Sequence, residues 1–331
     1  MRKKHGDSDL VCRQWILFWS VMSSTCLGVY VLLSPVLREN RTDSPQSELK
    51  LNRAGADCCR GIDHLEYWGH AVKWGSEHKT NSSQECCAAC KAMCPEDGIC
   101  KCNSWVYCGD KVKCGENLGQ CWLKKQEDPL NPDVQESGEH VTWTSGLVFG
   151  RDVGILVLMT EHGSIRVKLM PDCAPLSVHY FVEVLKLRHC AGCQIYRAEP
   201  RGSFWDQDGQ HMDKASTGPP YGLLQGTLDL QAGPFKVIPA ESCPVVVRGL
   251  VGWVGGGPDF FISLADHPEW PAKHTVFGYV LPEDMGVVEA ISALPTTQSE
   301  WSGVKISLLE TPVSINMSRH DNQVVKKSRQ S

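Results

Sequence analysis

Residues 248–264 read RGLVGWVGGGPDFFISL. Two β-rich runs, Pro244–Val251 and Phe260–Leu264, stand on either side of a Gly/Pro break, and such breaks separate strands. The texture repeats outward through Thr275–Val280 and Val304–Leu309. Upstream, Ile155–Leu158 reads as a strand, Gly163 turns the chain, and Ser164–Leu169 alternates as a half-buried strand. Pro171–Pro175 is a turn leading into a helix whose apolar stripe is Val178, Phe181, Val182, Leu185 and Leu187, and a second helix fits Met285–Leu294. Many strands and two helices within about 160 residues predict a closed barrel with helical caps.

The whole chain has 331 residues, room for two or three units. It is 42% hydrophobic and 21% charged with a net charge of −5. That is ordinary for soluble domains and excludes the basic surplus of a nucleic-acid binder. Near the N-terminus, Trp15–Leu33 runs 19 residues without a charge. As a helix it spans roughly 28 Å, close to a bilayer's hydrocarbon core. Trp15, Trp19 and Tyr30 suit the interfacial belt, and Arg2, Lys3, Lys4 and Arg13 bias the N-terminus to the cytosol. The reading is an uncleaved signal-anchor, with a cleaved signal peptide as the competing one. Either puts the rest of the chain in the lumen or outside the cell. Asn40, Asn81 and Asn316 open N-x-[ST] triplets on that side.

Between Cys58 and Cys121 lie 11 of the 17 cysteines. That density in an oxidising compartment predicts a disulfide scaffold. A zinc cluster is the alternative raised by Cys87-x2-Cys90 and Cys100-x-Cys102, but no His falls between Cys86 and Cys121. Ser82 or Ser83 before Glu85 marks a helix start, and Cys86/Cys87, Cys90 and Cys94 share one helical face. Pro95 and Gly98 stop that helix, and Asn103–Cys108 and Cys121–Lys124 read as strands. Omitting Cys12 and Cys26 leaves 15 cysteines, an odd number, so at least one is free or pairs between chains. Cys190-x2-Cys193 reads as a local disulfide rather than a redox motif, and Cys173 with Cys243 is a candidate pair across the barrel. GWVGGGP lacks the Lys of a phosphate-binding loop.

The motifs ECCAACKAMC (85–94), CNSWVYC (102–108) and CWLK (121–124) resemble the PAN/apple module. That likeness implies a binding role, for a protein or a glycan. The motifs GSIRVKLMPDCAPLSVHYFVEVL (163–185), QIYRAE (194–199), LLQG (223–226), RGLVGWVGGGPDFFISL, EWPAKHTVFGYV (269–280) and MGVVEAISAL (285–294) resemble, in order, the cyclophilin-type peptidyl-prolyl isomerases. The resemblance implies a mainly β fold, an eight-stranded antiparallel barrel capped by two helices. It also implies proline-containing peptides as substrates and no metal or cofactor. By position in those motifs, Arg197 matches the catalytic arginine and Gln225 the glutamine beside it. Phe261, Leu223, Trp270 and His274 match substrate-binding positions. Leu223 stands where methionine is usual, Gly222 where phenylalanine is, Gly255 where asparagine is, and Asp259 where glutamine is. Arg197 and Gln225 lie 28 positions apart, wider than the family's spacing, so the Gly- and Pro-rich insertion between them must bulge out.

Those residue types suit the chemistry. Rotation about an X-Pro bond takes tens to hundreds of seconds unaided, because the nitrogen lone pair is delocalised into the carbonyl. In the twisted transition state the lone pair returns to nitrogen, which becomes a hydrogen-bond acceptor. A fixed guanidinium aimed there binds the transition state better than the ground state. Gln225 is suited to hold the peptide carbonyl or to orient Arg197. Each residue also has a bland reading: Arg197 as a surface ion pair, Phe261 and Trp270 as core, His274 as a barrel histidine.

The expected organisation is a cytosolic tail (1–14), a transmembrane signal-anchor (15–37), a stalk (38–56), the apple-like domain (57–126), a linker (127–150), the cyclophilin-like domain (151–312) and a disordered tail (313–331). The expected function is that of a single-pass type II isomerase of the secretory pathway, in the ER, the Golgi or at the cell surface. The alternative is a non-catalytic ectodomain that binds proline peptides or glycoproteins on the same frame.

Overall fold

The computed structural model describes residues 58–95, 100–185, 192–200, 221–229, 235–241, 246–267, 270 and 274–320. The expected membrane span and stalk, Asn40, the body of the insertion (201–220), Cys190 and Cys243 lie outside the described residues. Among the described residues no helix is long and apolar enough to cross a membrane.

The cysteine-rich part contains β1 (Ile62–Asp63), β2 (Leu65–Tyr67), β3 (His70–Lys73), α1 (Ser83–Lys91), β4 (Ser104–Cys108), β5 (Cys121–Lys125), β6 (Val134–Ser137) and β7 (Trp143–Leu147). Five strands form one antiparallel sheet in the order β1-β7-β4-β5-β3, and β2 pairs with β6. Helix α1 starts at Ser82, whose hydroxyl accepts the Glu85 N–H at 3.2 Å. Glu85 in turn accepts the N–H of Asn81, the residue before the cap, at 2.9 Å, so the cap satisfies one orphan donor of the first turn and fixes the chain entering it. The helix ends at Lys91, before Pro95 is reached. Cys86, Cys87 and Cys90 form its buried face and bind Cys121, Cys59 and Cys102, while Cys94 binds Cys100 and Cys108 binds Cys114. These sulfurs are therefore covalently paired, which leaves no thiolates for a zinc cluster.

Two expectations are corrected here. The segment expected as a linker, 127–150, contains β7, which lies between β1 and β4. Its polar composition hid a strand whose stability comes from pairing on both edges. Trp105 at the centre of this sheet is wholly buried, and Gly146 and Gly61 press against it. A Cβ at either glycine would stand 2.5 or 2.6 Å from the indole, so both must lack a side chain. Cys173 pairs with Cys58, not across the barrel, because it sits on the turn before the next helix and faces the cysteine-rich part.

The remaining elements are β8 (Ile155–Thr160), β9 (Gly163–Leu169), α2 (Pro175–Val184), β10 (Gln194–Glu199), β11 (Leu223–Thr227), β12 (Leu250–Trp253), β13 (Asp259–Ser263), β14 (Val276–Val280), α3 (Met285–Ser292), β15 (Thr296–Trp301), β16 (Val304–Ser314) and β17 (Asn316–Arg319). All pairings are antiparallel, in the order β15-β16-β10-β11-β13-β12-β14-β9-β8-β17. Only Ile315 separates β16 from β17. The run Val304–Arg319 is thus one bent strand that pairs with β10 by one stretch and β8 by the next. Counted once, it closes a ring of eight walls, with β15 added outside as a hairpin partner. This corrects the first part of the expected disordered tail (313–331), since Val313–Arg319 completes the barrel, while 321–331 lie outside the described residues. The strand pairing outweighs the polarity of residues 316–319, whose inward neighbour Ile315 is buried.

Inside, Phe181 of α2 stacks on Trp253 at 5.4 Å, and Phe277 lies 4.8 Å from Phe181. Helix α2 opens with Pro at its first position and has no side-chain cap of its own. Glu241 supplies one instead, accepting from the Leu176 and Ser177 N–H groups at 2.7 and 3.0 Å and from the Ser177 hydroxyl at 2.6 Å. Lys91 of α1 meets Asp172 at 2.6 Å, and Arg319 meets Asp128 bidentately at 2.7 and 2.9 Å. With Cys58–Cys173, these contacts tie the cysteine-rich sheet to the barrel.

Gly146→Ala is expected to lower unfolding free energy by ~1–3 kcal/mol through overpacking against Trp105. Gly286→Ala, exposed on α3 with nothing near its added Cβ, is expected to be neutral or stabilising. Paired urea titrations check both; equal midpoints for the two variants would contradict the packing argument.

Candidate functional site

The site is built by strand register. Arg197 on β10 stands opposite Gln225 on β11, and Gln225 stands opposite Phe261 on β13. Residues opposite one another share a face, so these three side chains form a row on the outside of the barrel, roughly 10 Å from first strand to third. Their sequence neighbours Ala198, Leu224 and Ile262 point inward and are fully buried in the core. Two residues along, Glu199 faces Leu223 in a second outward row. Between Ile195 and Arg197 the register slips by a bulge at Tyr196. A bulge re-aims side chains, and here the Tyr196 hydroxyl reaches the same row.

The guanidinium of Arg197 is 8% exposed and held from several directions. Its Nη1 donates to Gln225 Oε1 at 2.7 Å. Nε donates to Glu199 Oε1 at 3.0 Å, and Nη2 lies 2.9 Å from the same oxygen. Its ring neighbours are Tyr221 and Trp301, with centroids 5.3 and 5.4 Å away. Glu199 is 1% exposed and also accepts the Tyr221 N–H at 2.9 Å. Gln225 Nε2 donates to the Tyr196 hydroxyl at 2.6 Å, which donates to Asp259 at 3.1 Å. Burial, reinforced by the Asp259 charge, pushes the Tyr196 phenol above its ordinary range, so it remains a donor.

At the other end of the row, Phe261 packs edge-on against Trp270 (5.4 Å) and His274 (5.6 Å). Trp270 lies 5.1 Å from His274 and stacks flat on His267 at 3.7 Å. Leu223, Met170, Val246 and Val276 complete this outer apolar cluster. Gly252 makes room for the phenyl ring, since a Cβ there would come within 2.9 Å of it. Burial lowers the His274 pKa, so its imidazole is neutral at physiological pH.

The structure therefore brings the six expected residues to one outer face: Arg197 with Gln225 at one end, Phe261, Leu223, Trp270 and His274 at the other. Sequence reading missed Tyr196, Glu199, Tyr221, His267 and Trp301. Glu199 was findable, because an i, i+2 pair on a strand shares a face. Tyr196 was not, because only the bulge turns it outward. Trp301 arrives from the β15–β16 hairpin, a long-range pairing with no local signal. The altered positions also have physical readings. Gly222 adopts φ +62°, where a bulky residue is strained, and Asp259 holds the Tyr196 hydroxyl.

Residues 155–313 match the sequence model of the family described as "Cyclophilin type peptidyl-prolyl cis-trans isomerase/CLD". The chain is 29% identical over 168 residues to peptidylprolyl isomerase cyp7 of Schizosaccharomyces pombe, covering 49% of this chain and 34% of that protein. It is 25% identical over 168 residues to peptidyl-prolyl cis-trans isomerase CYP65 of Arabidopsis thaliana, covering 49% of this chain and 26% of the other. The chain thus spans about a third or less of these two relatives. A cyclophilin type isomerase of Cryptosporidium parvum, solved in the presence of the dipeptide Ala-Pro, matches at a TM-score of 0.38 and 12% identity, over 51% of this chain and 99% of that one. The family match runs from the first residue of β8 to the stretch of β16 that pairs with β10. Residues 155–313 are thus similar in sequence to the cyclophilin-type peptidyl-prolyl cis-trans isomerases.

Proposed function

We propose that this barrel catalyses cis–trans isomerisation at X-Pro bonds and assists protein folding in the secretory pathway. One observation carries the reading: a guanidinium fixed by Glu199 and Gln225 stands in the same outward row as the aromatic cluster of Phe261, Trp270 and His274. Phe261, Leu223, Trp270 and His274 receive the prolyl ring. A guanidinium has five N–H groups. Contacts to Glu199 and Gln225 use three of them, which leaves N–H groups on both terminal nitrogens. One of these donates to the imide nitrogen as it pyramidalises. Because Glu199 holds the fork beforehand, little reorganisation is needed at the transition state. Gln225, oriented by Tyr196, steadies Arg197 from the opposite side.

A second reading, binding of proline peptides without turnover, is favoured by the same ion pair, since Glu199 neutralises and shields the cation. Turnover decides between them. With the purified full chain and a proline tetrapeptide substrate, the catalysed rate is expected to exceed buffer, and Arg197→Ala to lower it by about 10²-fold or more. Equal rates for both proteins, no faster than buffer, would remove the catalytic reading.

The His274 shift gives a pH dependence with a definite sign. The folded protein holds this imidazole neutral to a lower pH than the unfolded chain does. Its contribution to stability therefore rises as pH rises through the window below the ordinary histidine value. Catalysis is expected to be level around neutrality and to fall only below that range, as a charge enters the aromatic cluster. His274→Gln is expected to weaken the acid limb; an unchanged limb in the variant would exclude His274 as its source.

The location is part of the same proposal. The likeness of the sequence motifs at 85–94, 102–108 and 121–124 to the PAN/apple module suggests a domain that holds a glycan or protein ligand. Its disulfides persist in oxidising compartments, and Asn81 is exposed. The uncharged run Trp15–Leu33 supplies the anchor. In microsomes from cells expressing the full chain, a C-terminal tag is expected to resist protease until detergent is added; digestion without detergent would refute the type II topology.

A further inference from the structure

Four of the chain's 11 tryptophans converge on one cleft of the cysteine-rich domain, away from the row on the barrel. Trp68, Trp74, Trp122 and Trp143 line a space of about 730 Å³, within the range of ligand pockets. Trp68 and Trp74 are each 56% exposed, a costly state for the largest apolar side chain. The arrangement is built. Trp74 meets Trp122 edge-on at 5.2 Å and 62°, which makes a corner of two indole faces. Gly75 is required for it, because a Cβ there would stand 2.3 Å from the Trp122 Nε1.

The polar groups of the cleft narrow the ligand. Trp122 Nε1 donates to Gln120 Oε1 at 3.1 Å, and Gln120 Nε2 donates to Asn117 Oδ1 at 3.0 Å. This is a neutral amide rim with the Asn117 donors left over. Lys124 lies 5.6 and 5.9 Å from the Trp68 and Trp122 ring centroids and donates to the Tyr67 carbonyl at 2.6 Å. A resident cation therefore already occupies the cation–π seat, which disfavours an ammonium ligand. Glu66 on the same wall disfavours an anion. What remains is an uncharged ligand with flat C–H faces and many hydroxyl edges.

We infer that this cleft binds a neutral oligosaccharide, its sugar rings stacked on Trp68 and Trp74 and its hydroxyls met by Asn117, Gln120 and Glu66. The inference deepens the ligand-binding reading of the cysteine-rich domain and is independent of isomerase activity. The full chain is applied to immobilised neutral glycans (oligomannose, N-acetyllactosamine, β-glucan), to sialylated and sulfated glycans, and to unglycosylated proline-rich peptides. Binding is expected on at least one neutral glycan, and Trp68→Ala and Trp74→Ala are each expected to weaken it at least about tenfold. Unchanged melting temperatures and prolyl isomerisation rates for both variants show that they fold. Binding only to acidic glycans, only to peptides, to none of the surfaces, or equally by the variants and the parent overturns the inference. The isomerisation rate, read on the same samples, reports separately on the barrel.

Discussion

Arg197, Gln225 and Phe261 lie on the same outer face of the sheet only because β10, β11 and β13 are held in one register. A slip of one residue would turn all three inward and put Ala198, Leu224 and Ile262 outside. The barrel core resists that slip, since those inward residues pack in one cluster with Val251 and Phe277. The site therefore inherits its geometry from hydrophobic burial on the opposite face of the same strands. The bulge at Tyr196 is the one local departure. It adds a hydroxyl to the row while the pairing resumes at Arg197.

The Arg197–Glu199 pair is the costly component. Two charges leave bulk water here, and such a pair contributes little net stability against an apolar replacement. Removing one partner is far worse, about 3–5 kcal/mol, because the other charge stays buried and unmatched. The Tyr221 N–H reduces the cost by also hydrogen-bonding Glu199. The Tyr221 and Trp301 rings flank the guanidinium. Such an expense makes sense for a donor that must be fixed before its acceptor appears, since a mobile arginine would have to reorganise at the transition state.

How much of this was legible follows from what each feature depends on. The strands around GWVGGGP and the two capping helices were readable because period and breaker residues are local. The Ser82 cap was readable for the same reason. Strand β7 was not, because Trp143–Leu147 is polar at its start and gains its place from β1 and β4, far away in sequence. The closing strand was read too short, because Asn316–Arg319 has little apolar content and is specified by its partner β8. At the site, the family motifs point to six residues that the strand register and ring packing bring to one outer face. Trp301 and Tyr221, which flank the guanidinium, depend on a hairpin and on chain entry after an insertion.

The Cys58–Cys173 bridge joins these levels. It spans 115 positions, and closing so long a loop removes about 4–5 kcal/mol of chain entropy from the unfolded state in the entropic account. Both sulfur-bearing residues pack against the outer cluster that holds Phe261 and Leu223. Two residues beyond Cys173, Pro175 starts α2, whose Phe181 stacks on Trp253 in the core. The bridge therefore lies between the outer apolar cluster and the first turn of the barrel's capping helix. The Lys91–Asp172 contact next to it fixes the same turn electrostatically. A domain that merely trailed beside the barrel would need none of this. The covalent and ionic attachment at one turn therefore anchors the cysteine-rich sheet to Cys173, which shares one apolar cluster with Met170 and Phe261.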